Sequence, residues 1–228
     1  MSTPTARIPR YELHCHLDGS VRPGTVANLA REQGIALDRP VQDLVVAPAH
    51  CGSLTSFLTY LDLPLQVLQT PDALTRTARE LVEDWNADGV VYGEVRFAPQ
   101  LHGRHGMIPD EAVQAVAIGL AQGRATTGVS TGLLLCCLRH QSPDESLAVA
   151  ETALRQRDAV AGLDLAGDET MHTAQPHRAA FDLAHSAGLP CPSTPERPQA
   201  PKACGRRSTS SGPAESVTPC AAPPTPHC

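Results

Sequence analysis

Short apolar runs alternate with longer stretches of helical period up to about residue 189. The runs YELHCHL (11–17), GVVYGEVRF (89–97), TGLLLCCL (131–138) and VAGLDLA (160–166) have the length and apolar content of strands. Between them, residues 23–35 open near a proline and close on a glycine, as helices do. Residues 53–89 predict two or three helices broken at Pro64 and Pro71. Residues 109–128 and 143–159 place apolar side chains at i, i+3, i+4, and 175–188 form a fifth helical segment. Strands alternate with helices, and the strands are short and apolar. That predicts an α/β fold of parallel strands joined by helical crossovers.

Residues 190–228 share none of this pattern. They are crowded with Pro, Ser, Thr and Ala, and Val217 is their only β-branched apolar residue. Such a segment buries too little surface to offset backbone entropy, so a disordered tail is expected there.

Composition narrows the function classes. A formal charge of −6 offers no basic footprint for nucleic acid. Residues 1–10 hold no apolar core of a signal peptide, and no run approaches the length of a membrane span. A soluble cytoplasmic protein with neither a nucleic-acid nor a membrane partner is therefore expected. Eight cysteines are present with no CxxC pair, which favours reduced thiols over a disulfide framework.

The candidate chemistry sits in YELHCHLDGS (11–20). In a strand, residues i, i+2 and i+4 share a face. His14, His16 and Asp18 would then point one way, and Leu13, Cys15 and Leu17 would pack on the other. Two imidazoles on one face suit zinc. The spacing alone leaves structural histidines equally open, and a catalytic zinc needs about three protein ligands plus a position for water.

The residues around the motif extend it. PRYELHCHLDGSVRPGT (9–25) resembles the opening of the adenosine deaminase family, with Arg10 in place of the usual Lys. SLTSFLTYLD (53–62), GVVYGEVRFAPQLH (89–102) and GLDLAGDE (162–169) are similar to three further family segments, in family order. Asp18 with Ser20 favours the adenosine branch over adenine deaminase relatives. The resemblance implies a (β/α)₈ barrel, here incomplete at about its first four strands over residues 1–189. It implies hydrolytic deamination of a small-molecule purine nucleoside, in which a zinc-activated water attacks the carbon bearing the amino group and ammonia leaves. Carried over, His14 and His16 would be zinc ligands. His16 and Asp18 would lie at the ribose end of the substrate, and Gly167 would offer its backbone N–H to a ring nitrogen. Glu94 and Arg96, alternating on one strand, are expected to form a buried structural pair. Asp164 and Asp168 flank the Gly167 turn and would shape the floor of the site. His102, His105 and His140 fall in predicted loops, and His172, His177 and His185 at surface positions in or near a helix.

The family's general-acid glutamate, in a His-Ala-Gly-Glu strand, is missing, as are the later zinc ligands. They should begin just after AFDLAHSAGLP (180–190), where the pattern stops. Codons for STPER (193–197), entered at the third base of the serine codon, can spell His-Ala-Gly-Glu. In the same frame ACGRRSTSS (203–211) allows Val-Trp-Glu-Ala-Leu-Asp-Leu-Leu, AESVTPC (214–220) allows Arg-Ile-Gly-His-Ala-Val-Arg, and PTPHC (224–228) allows Asp-Pro-x-Leu. Residues 190–228 are therefore expected to be an out-of-frame translation. Two alternatives stand beside an impaired adenosine deaminase: another metal-dependent barrel deaminase acting on adenine or a modified nucleoside, and a non-catalytic fragment.

Overall fold

A computed structural model describes residues 8–192. From 193 onward the expected tail lies outside the described residues. Four strands form one sheet: β1 (Arg10–His16), β2 (Val90–Phe97), β3 (Ser130–Leu138) and β4 (Gly162–Ala166). Their order is β1-β2-β3-β4 and every pairing is parallel. Each crossover between consecutive strands is helical. Helices α1 (Pro23–Glu32), α2 (Val41–Val45), α3 (Leu54–Leu58), α4 (Asp62–Val67) and α5 (Pro71–Ala87) separate β1 from β2. Then α6 (Pro109–Thr127) leads to β3, α7 (Pro143–Arg155) to β4, and α8 (Arg178–Ser186) follows β4. This is the first half of a (β/α)₈ barrel, as the sequence predicts.

The helix starts follow from local chemistry. Proline opens α1, α5, α6 and α7, where its missing N–H has no helical partner to lose. Ser142 caps α7, accepting from the Glu145 N–H at 3.2 Å while the Glu145 carboxylate accepts from the Ser142 N–H at 2.8 Å. Pro64 was expected to break a helix and does not. It is the third residue of α4, still in the first turn, and the break falls after Val67. The short helix α2 lies in a stretch without a sequence-predicted element.

Register divides the strand residues into two layers. Val95, Leu133 and Phe97, Leu135 pair in register and face the helices, as do Leu163 and Leu165 in β4. The opposite face carries Arg96 beside Leu134, and Cys136 beside Asp164, all buried. After α8 the chain returns to the free side of β4. There the Pro190 carbonyl accepts from the Leu163 N–H at 2.9 Å, where a fifth parallel strand would begin.

Helices α5 and α6 cross at a close approach that requires glycine. A Cβ on Gly119 would lie 2.2 Å from the Thr75 carbonyl oxygen, and that oxygen belongs to rigid helix backbone. Gly119→Ala is expected to cost about 1–3 kcal/mol through overpacking, read as a lowered urea midpoint with the slope unchanged.

Candidate active site

The site is built where β1 ends. Glu12 pairs with Gly93 but Cys15 pairs with Val95, so β1 holds one extra residue in a bulge. The extra residue resets the alternation. Cys15 now aligns with core-facing Val95 and packs against the core, and His16 aligns with Arg96 on the interior face. The His14 and His16 rings lie together, with centroids 5.5 Å apart and planes tilted by 49°. The Glu12 carboxylate accepts from the His14 N–H at 2.9 Å, and Ser20 Oγ donates to the His16 carbonyl at 2.7 Å.

Asp18 does not continue the strand. Leu17 adopts helical angles (φ −62°, ψ −45°) and is fully buried, so Asp18–Ser20 form a 3-10 turn. The shared-face reading therefore holds for the two histidines and stops there. Asp18 is half-buried in the turn and acts electrostatically on His16. Leu13 was expected to pack under helices but is 54% exposed, on the terminal strand of the sheet.

Burial lowers the His16 proton affinity, partly offset by Asp18 and reinforced by His14 and Arg96. The neutral imidazole is the form that binds metals. Zn–N bonds of about 2.0–2.1 Å allow two rings sharing an ion to have centroids within about 6 Å. The 5.5 Å between the His14 and His16 centroids lies within that range. Among the described residues no group of three or more His, Cys, Asp or Glu surrounds one point.

The partners of Arg96 differ from expectation. Its guanidinium forms a buried ion pair with Asp164 of β4, and Nη2 donates to the Leu13 carbonyl at 2.7 Å. Glu94 instead accepts from the Tyr92 hydroxyl at 2.8 Å. The cause is reach: the interior of a curved sheet brings β4 toward β2 across β3.

Gly167 closes β4 with φ +116°, a conformation that L side chains rarely adopt. Asp168 is half-buried, and its Oδ1 accepts from the Thr170 N–H at 2.8 Å and hydroxyl at 2.6 Å. These bonds hold the turn that follows Gly167. Arg139, just past β3, fixes the same turn: its N–H donates to the Ala166 carbonyl at 2.8 Å and Nη2 to Glu169 at 2.9 Å. Sequence reasoning missed Arg139, although a polar residue immediately after an apolar strand marks the barrel mouth.

Two histidines assigned to loop or surface are core residues. The buried His102 ring shares a hydrogen bond of 2.7 Å between Nδ1 and the Leu68 carbonyl. The buried His177 ring contacts Ser146 Oγ at 2.7 Å through Nδ1 and the Arg139 carbonyl at 3.2 Å through Nε2. Each ring meets a carbonyl just past the end of an element: Leu68 after α4 and Arg139 after β3.

Parallel strands with helical crossovers carry the histidine pair and the glycine turn at their carboxyl ends, the end of a (β/α)₈ barrel at which functional residues are placed. The family model for adenosine deaminase matches residues 9–193. The chain belongs to the adenosine deaminase family. It is 38% identical over 187 residues to an adenosine deaminase of Clostridium perfringens, covering 80% of this chain and 56% of that protein. A crystal structure of an amidohydrolase from Burkholderia ambifaria, with bound Zn, is similar at TM-score 0.72 and 28% identity, covering 81% of this chain and 51% of that one. An adenine deaminase from Arthrobacter aurescens is similar at TM-score 0.72 and 30% identity, covering 80% and 56%. The chain spans about half the length of the curated relatives it matches.

Proposed function

We propose that residues 8–192 are the amino-terminal half of a zinc-dependent deaminase that converts adenosine to inosine and ammonia in purine metabolism, and that activity is impaired or absent in the chain as written. The observation that carries this reading is the His14–His16 pair, 5.5 Å between centroids, at the carboxyl end of β1. His14 and His16 would hold zinc, which when bound supplies a strong oxygen nucleophile at neutral pH. Asp18, in the turn beside His16, would accept a ribose hydroxyl hydrogen. The Gly167 N–H would donate to a purine ring nitrogen, and its positive φ supports a close backbone approach. Arg139 holds that turn in place.

The match of the family model stops at residue 193, which supports an out-of-frame segment beyond about residue 190. Free thiols at Cys136 and Cys137 support a reducing, cytoplasmic setting; burial pushes the Cys137 thiol up to about 12. No helix among the described residues is long and apolar enough to cross a membrane.

Zinc titration tests the ligand assignment. His14→Ala and His16→Ala are each expected to weaken zinc uptake by about tenfold or more while the far-ultraviolet spectrum stays unchanged. Equal uptake by both variants would end the assignment. The 30% identity to an adenine deaminase motivates a second reading, a different amino-purine substrate. A panel of adenosine, adenine and N6-substituted nucleosides, given to the frame-restored protein, separates the two.

A further inference from the structure

We propose that Arg96 is the positioning residue of the histidine pair: it fixes both ends of the bulged segment that carries His14 and His16. The inference rests on the metal reading above only for its consequence, not for its geometry. Arg96 grips the segment twice. Its backbone carbonyl accepts from the Leu17 N–H at 3.0 Å, and its Nη2 donates to the Leu13 carbonyl at 2.7 Å. The two contacts bracket residues 14–16. The Leu13 carbonyl lies in the bulge, where the ladder skips a residue between Glu12 and Cys15. A bulge leaves a backbone group without its ladder partner, and here a guanidinium supplies one.

The guanidinium is itself held. Its Nη1 is paired with Asp164 two strands away, and the side chains of Arg96 and Asp164 are 4% and 3% exposed. Asp164 in turn accepts from the Leu165 N–H at 2.8 Å, so the carboxylate is anchored to β4 backbone. The path runs from β4 backbone through Asp164 and Arg96 to the bulge of β1. A slip of one residue in β1 would turn every side chain to the opposite face. Arg96 opposes that slip because its fork is planar and rigid and spans a carboxylate and a carbonyl at once. A lysine ammonium is a point charge on a flexible stem and cannot span both.

The test uses the 228-residue chain with Arg96→Lys, and separately with Arg96→Met combined with Asp164→Leu, which removes the charges together. Amide exchange is followed without metal over residues 13–17, with 132–138 as the internal reference, and zinc affinity is measured against a competing dye. Both variants should exchange about tenfold or more faster at 13–17, the loss of one charge-assisted hydrogen bond, with 132–138 unchanged. Zinc should bind about 10–100-fold more weakly, as when the outer support of a metal ligand is removed. Unchanged exchange at 13–17 overturns the inference. So does faster exchange in both segments together, which would mark a merely structural role, and so does unaltered zinc affinity beside faster exchange. If the unsubstituted chain takes up no zinc, the affinity arm moves to the frame-restored protein and exchange decides in this chain: acceleration confined to 13–17 keeps Arg96 as the positioning residue, and a frame-restored protein that also takes up no zinc ends the metal reading alone.

Discussion

The 228-residue chain, purified free of host enzyme, is expected to convert adenosine to inosine at a rate at least about 10²–10⁴-fold below that of a frame-restored protein. That factor is the usual contribution of general acid–base catalysis alone, and no His-Ala-Gly-Glu stands in the sequence to supply it. The metal adds a further loss. Two imidazoles hold zinc loosely, and among the described residues nothing completes their ligand set. The architecture adds a third. Among the described residues the sheet has four strands, and β1 at its margin leaves Tyr11 and Leu13 65% and 54% exposed. An exposed apolar margin of this kind invites edge-to-edge association. Restoring the frame near codon 190 should recover zinc binding and turnover together, read by the absorbance change on deamination and by metal content. A chain that bound zinc one to one and turned over as fast as the restored protein would refute both the frame reading and the assigned roles. The coding DNA around codon 190 is a separate check, since an extra or missing base there is visible directly.

Periodicity made β3 and β4 the most legible strands because nearly all their residues are buried, on both faces. Runs such as TGLLLCCL are uninterrupted by charge, and their observed limits fall within a residue or two of the expected ones. Helix starts were legible for the same local reason: Pro71, Pro109 and Pro143 each sit at the first helical position. Pro64 misled because the same residue is tolerated anywhere in a first turn, and only the actual start at Asp62 shows which turn it occupies.

The site was legible where chemistry is local and lost where it depends on curvature. His14 and His16 are two residues apart, so strand geometry sufficed to bring them together. Asp18 lies beyond the point where Leu17 turns helical, and nothing in the strand period marks that point. Arg96 was matched to Glu94 because they share a face of one strand. The partner it meets, Asp164, is 68 residues away and becomes a neighbour only when the sheet curls. His177 is another long-range case: its partner Ser146 is 31 residues away on the first turn of α7. A polar residue in an amphipathic segment gives no sign of whether it faces water or a buried hydroxyl.

The Arg96–Asp164 pair carries the largest stability effect expected of a single substitution. Asp164→Leu should destabilise the folded chain by about 3–5 kcal/mol, because it leaves a guanidinium buried without its carboxylate. Arg96 is 3% exposed and cannot recover hydration without moving β2. A second contact, to the Leu13 carbonyl, is neutral and does not compensate the charge. The combined Arg96→Met, Asp164→Leu chain should lie within about 1–2 kcal/mol of the unsubstituted one, since the desolvation cost of both ions disappears with their attraction. Urea denaturation of the single and double variants gives the interaction energy as the departure from additivity. A single Asp164→Leu variant costing less than about 1 kcal/mol would mean that water reaches the guanidinium, and the interior face of the sheet would then be open rather than packed. A double variant as unstable as the single one would place the cost in lost volume beside Leu134 and Cys136, not in charge.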